Sequence, residues 1–159
     1  MLDEPEFSRW IESAKRTLDS ARRDLAHGDY NWACFKAHQA AWKALKALLW
    51  GIGRPRVGHS LPRLLQHLEE SGIVAPRDIR EACMRLNKLY TPTRYPDVWS
   101  EGIPEEYYSE GEARDAIEWA LMVIEWVEMV WRELLERGEK KGVESLREER
   151  GLLSALGES

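Results

Sequence analysis

Apolar residues recur every three to four positions through most of the chain, and only short segments bearing Gly or Pro interrupt the pattern. Phe7, Trp10, Ile11, Ala14, Leu18, Ala21 and Leu25 keep helical spacing with Lys, Arg and Glu opposite, which predicts a one-faced amphipathic helix from near Asp3 or Pro5 to about His27. Gly28-Asp29 breaks it, and Asp29 is placed to cap a second helix from Tyr30 to about Gly51. Here the pattern changes in kind. Ala33, Ala37, Ala40, Ala44 and Ala47 form a small apolar stripe that lets a neighbouring helix approach closely, while Phe35, Trp42 and Leu49 recur every seven residues on the other side with Trp32 beside them.

Two shorter helices follow, one capped by Ser60 and carrying Leu61, Leu64, Leu65 and Leu68, the other running from about Pro76 with Ile79, Ala82, Cys83, Leu86 and Leu89 inward. The capping box Ser109-Glu110-Gly111-Glu112 opens a last long helix to about Arg137. Its inner stripe is Ala113, Ile117, Ala120, Ile124, Val127, Trp131 and Leu134, and Trp119, Met122, Trp126 and Met129 lie on the far side. The fold class expected is all-α, an up-and-down antiparallel bundle of four or five helices over residues 1–137. Residues 138–159 are expected to be a charged tail, partly helical or mobile. Two helices thus carry a second apolar face. A homodimer interface built from Trp32, Phe35, Trp42, Leu49, Trp119, Met122, Trp126 and Met129 is the simplest account; the alternative cover is the loop from Val98 to Tyr108.

Composition agrees with one helical domain. The 159 residues include few Gly (11) and Pro (7), and these gather at helix boundaries. No apolar run approaches the roughly 18 residues of a membrane span, so a soluble, cytoplasmic protein is expected. Cys34 and Cys83 fall on inward helix positions and read as buried free thiols. Only Asn31, Gln39, Gln66 and Asn87 are amides while 32% of residues are charged, which leans towards a thermophile. The net charge of -5 conceals an asymmetry: from Lys36 to Pro96 there are 11 basic residues against the four acids Glu69, Glu70, Asp78 and Glu81. An anion-attracting face follows, whereas whole-surface nucleic-acid binding is disfavoured by the negative total.

The basic half contains the segment most suggestive of a site, Tyr90-Thr91-Pro92-Thr93-Arg94-Tyr95-Pro96-Asp97. Its prolines fix the backbone, so the loop is a held shape with one arginine between two tyrosines. A planar guanidinium suits phosphate, and a tyrosine adds a stacking face and a hydroxyl. In the other role open to it, Arg94 pairs with Asp97 or covers helix-end carbonyls. Arg54 and His59, five apart, could stabilise and protonate a phosphodiester oxygen, but such strings arise readily by chance. Cys34 and His38 lie four apart on one helix turn without the further ligands a metal needs, so packing is favoured and no metal or cofactor is expected. Glu118, Glu125 and Glu128 read as a solvated edge.

The stretch Tyr30 to Leu49 with its Gln39-Ala40-Ala41-Trp42-Lys43-Ala44-Leu45-Lys46-Ala47 core, then Gly58-His59-Ser60-Leu61 with Leu64-Leu65, then Leu86-Asn87-Lys88-Leu89-Tyr90 and Thr93-Arg94-Tyr95-Pro96-Asp97, resembles the HEPN domain, the higher eukaryotes and prokaryotes nucleotide-binding family. The resemblance covers roughly Phe7 to Trp131. It implies a helical bundle, commonly dimeric, that often acts beside a minimal nucleotidyltransferase; some members are RNA-cleaving toxins of toxin–antitoxin type. Ribonuclease members carry an arginine followed, after four to six residues, by a histidine just before the last long helix; the stretch from Arg85 to Tyr95 has Tyr90 where that histidine would fall. Trp42 also stands where the family helix usually has Glu.

A noncatalytic HEPN protein is therefore expected, binding a nucleotide or another phosphate-bearing ligand as the accessory partner of a nucleotidyltransferase. Arg94 would pair with phosphate, Tyr95 or Tyr90 would stack on or bond the ligand, and Lys43, Lys46 or His59 would complete a basic wall. The alternatives are a metal-independent ribonuclease resting on Arg54 and His59, and a dimeric adaptor that binds another protein through its Trp-rich face.

Overall fold

The computed structural model describes residues 1–157, and the described residues form five α-helices joined by turns and three short 3-10 segments, with no strand among them. The chain divides into two compact units, Met1–Val127 and the segment from Glu128 onward. In the first unit, α1 (Glu4–His27) starts where the Asp3 carboxylate accepts from the Glu6 amide at 3.1 Å. It stops at Gly28, whose φ of 82° is a left-handed conformation that costs a glycine little. The turn sends α2 (Tyr30–Gly51) back along α1, and side-chain bonds from Lys36 to Ser20 (2.9 Å) and from Lys43 to Ser13 (2.9 Å) mark the antiparallel register. The Asp3 amide closes the far end on the Gly51 carbonyl at 2.7 Å.

The alanine stripe is fully buried, and so are Cys34, Ala41, Leu45, Leu48 and Leu49. Central α2 is thus enclosed on nearly all sides, the condition an all-round apolar helix requires. Leu49 and Trp126 are buried within the chain, so neither offers a side chain to a second copy; the large stripe faces its own core at those points. Helix α3 (Leu61–Glu70) is capped by the Ser60 hydroxyl on the Arg63 amide, and α4 (Arg77–Leu86) inserts Ile79, Ala82, Cys83 and Leu86. Three 3-10 turns, Asn87–Leu89, Pro96–Val98 and Pro104–Glu106, shape the segment leading to the last helix.

Helix α5 is assigned over Glu110–Gly157 and begins at the expected box, with the Glu112 amide donating to Ser109 Oγ at 3.1 Å. It does not stop near Arg137. A mid-helix glycine costs only about 1 kcal/mol relative to alanine, and the Glu, Lys, Arg and Leu residues around Gly138 favour helix. Of the second unit itself, residues 136–157 are exposed on every side. No described helix is long and apolar enough to cross a membrane.

Candidate functional site

The loop expected to hold a site is pinned from beneath. Asn31, nearly fully buried at the start of α2, donates from Nδ2 to the Thr93 carbonyl at 3.0 Å. Thr93 is itself buried and donates from Oγ1 to the Leu89 and Tyr90 carbonyls, both at 3.1 Å. Trp99 Nε1 donates to the Pro92 carbonyl at 2.9 Å. Two prolines and these four side-chain bonds hold one backbone path.

Arg94 turns inward on this frame. Its Nε and Nη2 donate to the Tyr90 carbonyl at 3.1 and 2.9 Å, and its guanidinium lies 4.0, 4.8 and 4.9 Å from the ring centres of Phe35, Tyr90 and Tyr95. The charge is thus matched by a carbonyl at the end of a helical segment and by three aromatic faces. Arg94 acts first as the clamp of its own loop, the role given above as the alternative to phosphate pairing.

Tyr90 connects this clamp to a column of rings. The His59 imidazole stacks on Tyr90 (4.8 Å, 21°) and on Trp42 (4.8 Å, 19°), and His38 meets Tyr90 from below at 5.1 Å. Trp42 donates from Nε1 to the Gly58 carbonyl at 2.8 Å, which fixes the loop that carries His59. His38 is fully buried, bonds the Gln39 amide oxygen through Nδ1 at 3.2 Å, and has no hydrogen bond of ordinary geometry at Nε2. Burial lowers its pKa from 6.5 to about 4; the Gln39 bond and the nearby His59 backbone oppose that shift, and electrostatic interaction with His59 and Arg94 adds to it.

The two lysines expected in a basic wall lie elsewhere or are already engaged. Lys43 points to α1, donating to Ser13 Oγ and Thr17 Oγ1 at 2.9 and 3.0 Å, away from the ring column. Lys46 is buried beside Trp10 and Trp42, with Nζ 5.9 and 5.6 Å from their ring centres and bonded to the Arg56 carbonyl. Burial lowers the pKa of both lysines. Arg54 is exposed in the α2–α3 loop and takes no part in the stack. Sequence reasoning did not place Trp42, His38 or Asn31 at the site; the signals for them were their helical spacing from one another and their place in the Tyr30 to Leu49 stretch that resembles the family.

An open groove of about 490 Å³ runs beside the column, lined by His59, Ser60, Asn87, Lys88, Tyr90, Thr91 and Pro92. The amino terminus of α3 adds little to it. The Leu61 amide already donates to Asn87 Oδ1 at 3.0 Å, Pro62 has no N–H, and the Arg63 amide is taken by Ser60 Oγ. Anion affinity in this groove must come from side chains, of which exposed Lys88 carries the fixed charge. Among the described residues no group of three or more His, Cys, Asp or Glu is arranged to hold a metal ion.

The model of the HEPN domain family matches residues 7–130. The structure is similar to TT1696 from Thermus thermophilus (41% identity, TM-score 0.75), covering 77% of this chain and 96% of that one. It is also similar to ST0689, an archaeal HEPN homologue, at 41% identity and a TM-score of 0.66 (77% and 94% covered), and to a HEPN domain protein from Thermotoga maritima at 32% identity and a TM-score of 0.63 (78% and 98% covered). No curated protein gives a significant match. With the family model spanning most of the sequence and relatives at 32–41% identity covering 77–78% of it, the chain belongs to the HEPN domain family.

Proposed function

We propose that this protein is a noncatalytic HEPN module that binds a nucleotide or another phosphate-bearing ligand, works as a homodimer and serves as the accessory partner of a minimal nucleotidyltransferase. The observation that carries the binding reading is the groove beside the Trp42–His59–Tyr90 column, where a fixed aromatic wall meets Lys88, Ser60 and Asn87. An aromatic column supplies a rigid apolar edge for a base or ribose, and an ammonium beside it supplies the phosphate partner. Tyr90 and His59 contact the ligand in this reading; Arg94 and Tyr95 keep the loop in shape. The dimer reading rests on Trp32, which packs edge-on to Phe35 at 6.2 Å and is 40% exposed.

Titration calorimetry with ATP tests the site. Lys88→Ala lies on the surface and leaves the fold intact, so it should weaken binding by about tenfold, as loss of one charge-assisted contact does. His59→Ala should weaken it further by opening the column. Equal affinity in wild type and Lys88→Ala would remove the groove as the site, and a clean monomer in light scattering at micromolar concentration would remove the dimer.

A further inference from the structure

The helix beyond residue 130 lies outside the region that the family model matches, and no feature of the bundle accounts for its surface. Its polar face is ordinary. The opposite face carries Leu146, Leu153 and Leu156, which are 59%, 69% and 73% exposed, while Val143 and Leu152, 49% and 66% exposed, lie outside it on either flank. At 100° per residue, Leu135, Gly138, Gly142, Leu146, Glu149, Leu153 and Leu156 fall in an arc of about 80°, so large and small residues share one stripe. The two glycines need a reason. Neither has a positive φ, a Cβ added to either would meet nothing within 4 Å, and each costs the helix about 1 kcal/mol relative to alanine, as does Gly151 on the opposite face. Space kept open at the middle of an apolar stripe is space for another helix to approach.

We propose that this helix is a self-association element that pairs antiparallel with the same helix of a second copy about a two-fold axis near Ser145 and Leu146. A two-fold axis requires that if one residue meets another, the reciprocal contact exists too, and a single register satisfies the whole stripe. Leu153 then faces the partner's Gly138, Leu146 faces the partner's Ser145, and Leu156 faces the partner's Leu135, so each knob meets a small residue or another leucine. Glu149, the one acid on the stripe, falls opposite the partner's Gly142, beside the partner's Lys141. One edge agrees with the stripe. Glu139 lies near the partner's Arg150 along that border, giving two opposite-charge pairs across the axis.

Residues 139–150 hold four basic and four acidic side chains, so two copies do not repel. A parallel pair in register would set glycine against glycine and Glu139 against the partner's Glu139. A membrane surface suits the helix less well, because such helices carry a basic polar face with aromatic anchors, and this one is neutral and has no aromatic residue after Trp131.

Disulfide trapping of the full chain tests both the pairing and its direction. The native thiols of Cys34 and Cys83 are buried, with pKa values pushed up to about 12, and do not compete under mild oxidation. Ser145→Cys, next to the axis, should cross-link to itself. Gly138→Cys and Leu153→Cys should each remain uncoupled alone and should cross-link when mixed. Self-coupling of Gly138→Cys and of Leu153→Cys, without coupling in the mixture, would mean a parallel pair and overturn the proposal; so would failure of Ser145→Cys to couple at any concentration, including one at which the chain pellets with anionic vesicles. In the background of Ser145→Cys, Glu139→Arg should reduce the trapped fraction several-fold, and adding Arg150→Glu should restore it, because the pairs are then reversed and not lost.

Discussion

His38 is held neutral by its surroundings, because burial removes the water that an imidazolium would need and Arg94 adds a like charge nearby. Its folded-state pKa of about 4 lies below the 6.5 of the free side chain, so the unfolded chain takes up the proton first. Stability is therefore level above about pH 6.5 and declines as pH falls from there towards 4. Between pH 7.5 and pH 5 this single group should cost about 2 kcal/mol. Urea midpoints at the two pH values measure it, and His38→Gln should flatten the slope; an unchanged slope would assign the titration to another group. Asn31 is the complementary case of a buried amide in use. Asn31→Ala leaves the Thr93 carbonyl buried without a donor, which should lower stability by about 1–3 kcal/mol in the same assay.

The elements themselves were legible in the sequence, since α1 and the start of α5 declare themselves through apolar period and capping residues and α2 through its apolar period; Asp29 precedes α2, but its side chain makes no cap bond there. Two expectations at this scale differ from the structure, each for its own physical reason. Gly138 looked like a helix stop because glycine ends many helices, yet its neighbours are strong helix formers and nothing forces a left-handed turn there. Lys43 was expected in a basic wall beside the Arg94 loop; its long stem instead carries the ammonium across to hydroxyls of α1, a choice set by tertiary packing that spacing does not encode. The candidate site was legible as a loop and as a set of residue types, with Tyr90, Arg94, Tyr95 and His59 brought together around the column. What Arg94 bonds was not legible, because a guanidinium serves a carbonyl as readily as a phosphate. The joint between α3 and the segment after α4 gives a test at the same scale. Asn87 and Ser60 each satisfy an amide at the start of α3, so Asn87→Ala and Ser60→Ala should each cost about 1 kcal/mol in chemical denaturation. Asn87→Ala should also weaken ATP binding through the displaced groove wall, and Ser60→Gly, which retains most of the cap propensity, should be the milder change.

Over the whole molecule the charge pattern decides which anions can approach. The chain is net negative, yet Lys36 to Pro96 contributes 11 basic residues against four acidic ones, and the groove beside His59 belongs to that stretch. A small anion samples the field within about 8–10 Å of the groove at ordinary ionic strength, so it meets mainly the basic stretch. A long polyanion also meets the rest of the chain, which holds 24 acidic residues against 12 basic ones, so each added phosphate gains less. Two outcomes follow for the intact protein. ATP affinity should fall by about tenfold as salt rises from about 0.05 to 0.5 M, because exposed Lys88 is screened, and Lys88→Ala should flatten that dependence. Lengthening an oligonucleotide beyond the few residues that fit a groove of about 490 Å³ should add little affinity, in contrast to a surface that binds nucleic acid along its length. Affinity that instead climbs steadily with oligonucleotide length, with a salt slope that steepens in parallel, would show that the binding face extends well beyond the ring column and would move the function from nucleotide recognition to RNA binding.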